Sequence, residues 1–209
     1  MTNKIGMQTS RKTKALKTRK ALIEAASALF SEKSYEDVYI EEITSRAGTA
    51  KGTFYLYFES KAHIILELFK NIDTYYDIVR KNLGVYPTAS EKLLFFTKKQ
   101  QWYISHKLGL DLTTVIYVHQ LHTADFPVFL ADERRLLYSI INDLVSEGQQ
   151  KQEFRTDKSA RELTAWITFA MRSIIFDWCI HKGKYDLVKK GQEIFGEFIK
   201  CIIKDINTC

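Results

Sequence analysis

Two prolines and nine glycines in 209 residues leave little to interrupt helices, and far too little for the turn-rich connections of an all-β domain. The chain therefore reads as mostly helical, with one or two domains. The three cysteines, Cys179, Cys201 and Cys209, are late and odd in number, which excludes a disulfide framework and suits a reducing compartment. The longest uncharged run, Leu112 to Ala124, has 13 residues, short of the roughly 20 that span a bilayer. No apolar segment of an export signal opens the chain, so the expectation is a soluble, cytoplasmic protein without a membrane partner. Phosphate loop, dinucleotide fingerprint, nucleophile elbow and HExxH are all missing. No catalytic residue, cofactor or metal is assigned, and the chain is not read as an enzyme.

What is present is unevenly placed. Residues 1–20 carry Lys4, Arg11, Lys12, Lys14, Lys17, Arg19 and Lys20 with no acid, whereas the remainder is close to neutral within an overall net charge of +6. Local basicity of this kind suits nucleic-acid phosphate, with a solubilising tail as the plainer reading.

The stretch from Ile40 to Lys61, IEEITSRAGTAKGTFYLYFESK, has the spacing of two short helices crossing through a tight turn at Gly48, with Ile43 and Ala47 before it and Phe54 and Tyr57 after it. A preceding helix, Thr13 to Lys33, places Leu22, Ala25, Ala26, Leu29 and Phe30 on one stripe, and Tyr35 follows. With Tyr55-x-Tyr57-Phe58-x-x-Lys61, these motifs closely resemble those of the TetR family of transcriptional regulators.

The resemblance implies an all-α chain: an N-terminal three-helix helix-turn-helix DNA-binding domain over 1–61, with a basic arm over 1–12 and the motif at about 38–58. An all-helical ligand-binding and dimerisation domain follows over 62–209. Thr49, Ala50, Lys51, Gly52, Thr53 and Tyr55 are then candidates for the major groove and its phosphates, joined by Lys61, Arg11, Lys12 and Lys14. Lysine suits guanine O6 and N7, threonine a thymine methyl or phosphate, and tyrosine a phosphate. Phe54, Leu56 and Phe58 are expected in the core. Lys61 puts a cation at a helix N-terminus, a conflict that a phosphate would relieve. The sequence departs from the family at Ser34, where a glycine is usual, and at Val38 and Tyr39, where a hydroxyl cap is usual; Asp37 is the expected substitute cap.

Downstream, helices are expected to Asn82, then over Ser90–Lys107, Leu110–His122, from Asp125 and Pro127 to Gln149, over 159–181, and at the C-terminus. Strand propensity is high over Leu112–Val118, and only the resemblance makes it helix. Phe95, Trp102, Tyr103, His106, Tyr117, His119, His122, Phe126 and Tyr138 are candidates for an aromatic effector pocket. Trp166, Phe169, Ser173, Phe176, Ile194, Phe198 and Ile202 are candidates for a homodimer interface, where Gly191 and Gly196 permit close approach. The resulting expectation is a ligand-responsive repressor binding an inverted-repeat operator in double-stranded DNA as a homodimer. Alternatives are a constitutive DNA-binding protein without effector, or a metal-binding protein using His119 and His122.

Overall fold

The computed structural model describes residues 3–124 and 126–203, with side chains from Lys12 onward. The side chains of Lys4 and Arg11, and the whole of Asp125 and Cys209, lie outside the described residues. Two compact units, Met1–Phe69 and Lys70–Cys209, are continuous through one helix, α4 (Lys61–Lys81).

In the first unit, α1 (Asn3–Glu32) begins well before the expected Thr13, since no proline lies upstream to stop it. It is followed by α2 (Ile40–Arg46) and α3 (Lys51–Tyr55). The predicted stripe is the core: Leu22, Ala25, Ala26 and Leu29 of α1 pack with Val38, Ile43, Phe54, Phe58 and Ile64. Ser34 does not adopt a left-handed conformation, which among described non-glycine residues occurs at Gln152 and Lys182. Its hydroxyl instead donates to Asp37 Oδ2 at 2.6 Å, closing the turn. Asp37, so engaged, is not the cap of α2. That position is Tyr39, whose N–H donates to Glu42 Oε2 at 3.0 Å, so the half of a capping box in which the third helical residue reaches back is present although Tyr39 itself offers no hydroxyl cap to the first turn.

The second unit continues from α4 through a 3₁₀ turn, Leu83–Val85, into α5 (Ala89–Tyr103), a π turn over Ile104–Leu108 and α6 (Gly109–His122). Then come α7 (Leu136–Gln150), α8 (Ala160–Ile180) and α9 (Leu187–Lys200). Thr88 with Glu91 and Ser159 with Glu162 start α5 and α8 as capping boxes. α5 packs on α7 and α9, while α8 packs on α7, α9 and α6. Gly191 is where α9 meets α5: a Cβ there would stand 2.5 Å from Gln101 Nε2, whereas one at Gly196 would meet nothing within 4 Å.

The strand-prone stretch is helical within α6. The helix expected from Asp125 and Pro127 starts only at Leu136. The intervening backbone finds other partners: Gln120 Nε2 donates to Pro127 O at 2.6 Å, and its Oε1 accepts from Phe129 N and Leu130 N at 3.0 Å. Asp132 Oδ1 accepts from Arg134 N at 3.0 Å, a side-chain turn that competes with helix immediately before α7. α8 has a length and composition that also suit a membrane span, yet Leu163, Ile167, Met171 and Ile174 are packed within this unit.

Candidate DNA interface and effector domain

The turn into α3 is built by Gly48 at φ 65°, with Thr49 N donating back to Thr44 O at 2.9 Å. Ala50, extended, starts the helix. Only one side of so short a helix can be buried. Phe54 and Phe58, four residues apart with ring centroids 5.6 Å from each other, take that side. Ala50, Lys51, Gly52 and Tyr55 are consequently exposed, and Thr49 and Thr53 half-buried.

Leu56 departs from expectation. Two residues after Phe54, it points about 200° around the helix, and it is 80 % exposed instead of core. Tyr39 at the start of α2 is 65 % exposed. Leu56 was expected in the core because α3 must bury a face, but Phe54 and Phe58 already fill that face.

Lys51 pairs with Glu41 of α2, which holds the carboxyl below its usual range and the ammonium above its own. α2 is braced against α1 by Lys33 with Glu42 and by the two-pronged Arg46–Glu32 pair at 2.8 and 3.1 Å. Arg19 joins α1 to Glu67 of α4 at 2.5 Å and lies over the Phe58 ring.

Lys61 is half-buried. Its Nζ donates to the carbonyls of Tyr35 and Val38, the latter at 2.8 Å, and sits 4.0 Å from the centroid of the Tyr35 ring. Those carbonyls relieve part of the conflict between the cation and the helix N-terminus. Lys12 and Lys14 are exposed on α1.

In the second unit the candidate pocket residues disperse. Phe95 stacks with Tyr86 at 4.6 Å. Tyr103 and Trp102 pack around Tyr75 at 4.8 and 6.4 Å, with His106 stacked on Trp102 at 5.3 Å. Tyr117 donates to Arg172 O at 3.0 Å and its ring meets Phe176; burial pushes its hydroxyl pKa up. His119 lies 5.3 Å from Phe126, and His122 is exposed. Tyr138 alone of the nine lines an open cleft of about 270 Å³ between α7 and the start of α8, with Glu133, Arg134, Arg135, Ser139, Asn142, Arg161, Thr164 and Ala165.

On α8, Trp166, Phe169, Ser173 and Phe176 share one exposed face with Ile180, opposite the buried Leu163, Ile167, Met171 and Ile174. Trp166, 42 % exposed, therefore belongs to the outer face, although its spacing also fits the inner stripe. On α9, Ile194 is 41 % exposed and Phe198 half-buried. Ile202, only 1 % exposed, is inside and not on that face: its carbonyl accepts from Arg155 N at 3.0 Å beside the Phe154–Ile203 bridge.

Residues 22–68 match the family model described as bacterial regulatory proteins, tetR family, and residues 69–201 match that described as YsiA-like protein, C-terminal region. The chain belongs to the TetR family. It is a ligand-responsive, DNA-binding transcriptional regulator. Among TetR relatives it is similar to the fatty acid metabolism regulator protein of Bacillus subtilis (strain 168), 25 % identical over 174 residues that cover 83 % of this chain and 89 % of the relative. Two solved TetR-fold structures are also similar. Bacillus subtilis FadR in complex with stearoyl-CoA superposes with TM-score 0.65 at 23 % identity, over 87 % of this chain and 98 % of that one. Thermus thermophilus FadR in complex with lauroyl-CoA gives 0.75 at 17 % identity, over 91 % and 98 %. These relatives are regulators and not enzymes.

Proposed function

We propose that the chain acts in the cytoplasm, without catalysis, as a homodimeric repressor of an inverted-repeat operator. A largely apolar small molecule taken up by the region 62–209 releases it, with long-chain acyl thioesters the leading class. The observation that carries this reading is the outward side of α3, where Lys51, Gly52 and Tyr55 are exposed on a helix fixed from behind by Phe54 and Phe58. Thr49, Ala50 and Thr53 flank that surface; Tyr39 and Leu56 extend it; Lys12 and Lys14 add cations for phosphate. Lys61 serves by holding the loop before α2 in place.

The outer face of α8 supports a dimer, since four large apolar side chains in one stripe are otherwise left to water. A twofold dimer presents its α3 helices to major grooves roughly 34–36 Å apart, hence an inverted repeat. The effector class is supported by the relatives crystallised with stearoyl-CoA and lauroyl-CoA. For the metal-binding alternative, no group of three or more His, Cys, Asp or Glu side chains able to hold an ion occurs among the described residues.

Fluorescence anisotropy with the DNA upstream of the protein's own reading frame, titrated with lauroyl-CoA, separates these readings. Operator-selective binding that lauroyl-CoA weakens is expected. Equal affinity for random and operator DNA at every salt concentration excludes the repressor reading, and selective binding that no acyl thioester weakens leaves the constitutive one.

A further inference from the structure

The cleft between α7 and the start of α8 has a feature that packing does not account for. Thr164 is 5 % exposed and lines the cleft, yet its hydroxyl is buried without any hydrogen-bond partner. A buried hydroxyl is normally satisfied, and a helical threonine has a ready acceptor one turn back. Thr168, one turn on, takes that option, donating to Thr164 O at 2.9 Å. Thr164, a residue of the cleft wall, keeps its donor unused and covered from solvent.

The rest of the wall is rich in cationic donors. Arg134 and Arg161 are 88 % and 86 % exposed at their side chains. Arg161 makes a single contact with the exposed carboxylate of Glu133 at 3.1 Å, a kind of pair that is weak and exchanges readily, whereas Arg134 is held in two-pronged fashion by the half-buried Asp132 and keeps one guanidinium nitrogen for other partners. Arg135 is different: its guanidinium is held by Asp73 at 2.8 Å and lies 3.7 Å from the Phe129 centroid, so it is a fixed cation in the wall. Tyr138 accepts from Arg172 Nη1 at 2.6 Å, which leaves its own hydroxyl proton to donate. α7 also begins here, with neither an acidic residue in its first turn nor a side-chain cap. Glu133 is the carboxylate that lines the cleft, and it is already engaged by Arg161.

A volume of about 270 Å³ lies just under the roughly 300–1,000 Å³ of sites that enclose a whole ligand. It fits a compact group or one end of a longer molecule.

We propose that this cleft binds an oxyanion, the carboxylate or phosphate end of the small molecule that controls DNA binding, through the Thr164 hydroxyl with Arg161 and Arg134. The proposal rests on the reading that the second unit takes an effector. Guanidinium groups suit either anion because their paired N–H donors match two oxygens at once.

Calorimetric titration of the full chain with pyrophosphate and with dodecanoate distinguishes the two sources of the anion. At least one is expected to bind, with Thr164→Val and Arg161→Gln each weakening it tenfold or more. Arg155→Gln, which breaks a surface pair with Asp157 outside the cleft, is expected to leave binding unchanged. Thr164→Val should also raise the melting temperature of the free protein, because a methyl group replaces an unsatisfied hydroxyl of nearly the same shape. Binding of neither probe, or equal binding by wild type and both cleft variants, overturns the proposal. If lauroyl-CoA releases operator DNA from wild type and Thr164→Val alike, the cleft assignment fails while the effector reading stands.

Discussion

Lys51 shows how one side chain is poised between two partners. In the free protein it is held by Glu41, and a base edge or phosphate must displace that carboxylate. Glu41→Gln should therefore strengthen DNA binding severalfold, most visibly at low salt, since it removes both a competitor and a negative charge near the duplex. Lys51→Ala should instead flatten the preference for particular base pairs by roughly tenfold. Anisotropy titrations against single-substitution operators read both; a Lys51→Ala protein with unchanged preference would remove this residue from base recognition. Cys179 offers a pH-dependent counterpart. Burial pushes its thiol up to about 11 from the usual value near 9.0. Its native form thus loses a proton at higher pH than its unfolded form, so this stabilisation is complete below pH 9 and is lost as the pH rises through 11. The melting temperature should fall across that window, and Cys179→Ala should fall less. Alkylation near neutral pH should strike exposed Cys201 before Cys179.

Among the elements, α3 and α7 each carry a glycine whose surroundings can be compared. A Cβ on Gly52 would meet nothing within 4 Å, so neither packing nor backbone geometry in the free protein requires glycine there. Gly52→Ala should stabilise the helix by about 1 kcal/mol. If the duplex comes close to this backbone, the same change should cost DNA affinity at every site. Denaturant melts alongside DNA titrations separate the two effects, and a variant both more stable and fully competent in binding would place the DNA elsewhere on α3. Gly148 in α7 gives the opposite case: a Cβ would lie 2.2 Å from Phe154, whose ring is fully buried. Gly148→Ala should therefore destabilise the second unit by about 1–3 kcal/mol.

At the scale of the molecule, the proposed dimer turns on the outer face of α8. Phe169, 65 % exposed at the middle of the stripe, contributes little to the protomer's own core. Phe169→Glu should leave helix content and protomer stability nearly unchanged while shifting sedimentation from dimer to monomer, because the substitution places two like charges near a twofold axis. Affinity for a full inverted repeat should fall towards that for a half-site. A dimer that survives this change would put the interface on another face. For the intact dimer, reciprocity requires operator DNA to weaken lauroyl-CoA binding by the factor that lauroyl-CoA weakens DNA binding, typically about 5- to 150-fold.

Most of the first unit was legible in the sequence because its signals are local. The 3.6-residue stripe from Leu22 to Phe30, the left-handed turn at Gly48 and the Phe54–Phe58 pair each depend on neighbours within a few residues, and all three stand in the structure as read. The mostly helical character of the described residues likewise followed from having so little proline and glycine, although Leu112–Val118 was helix only through the family resemblance. What only the tertiary structure decided were the choices between equivalent partners. The sequence around Lys61 did not reveal that the carbonyls of Tyr35 and Val38, far back in the chain, hold its ammonium in the protein without DNA. The aromatic residues of α5, α6 and α7 were legible as apolar, but which ring meets which depends on helix rotation and crossing, so they separated into several small groups. Ile202, expected on the dimer face, turned inward for the same reason. Apolarity determines that a side chain must be covered; the three-dimensional path of the rest of the chain determines by what.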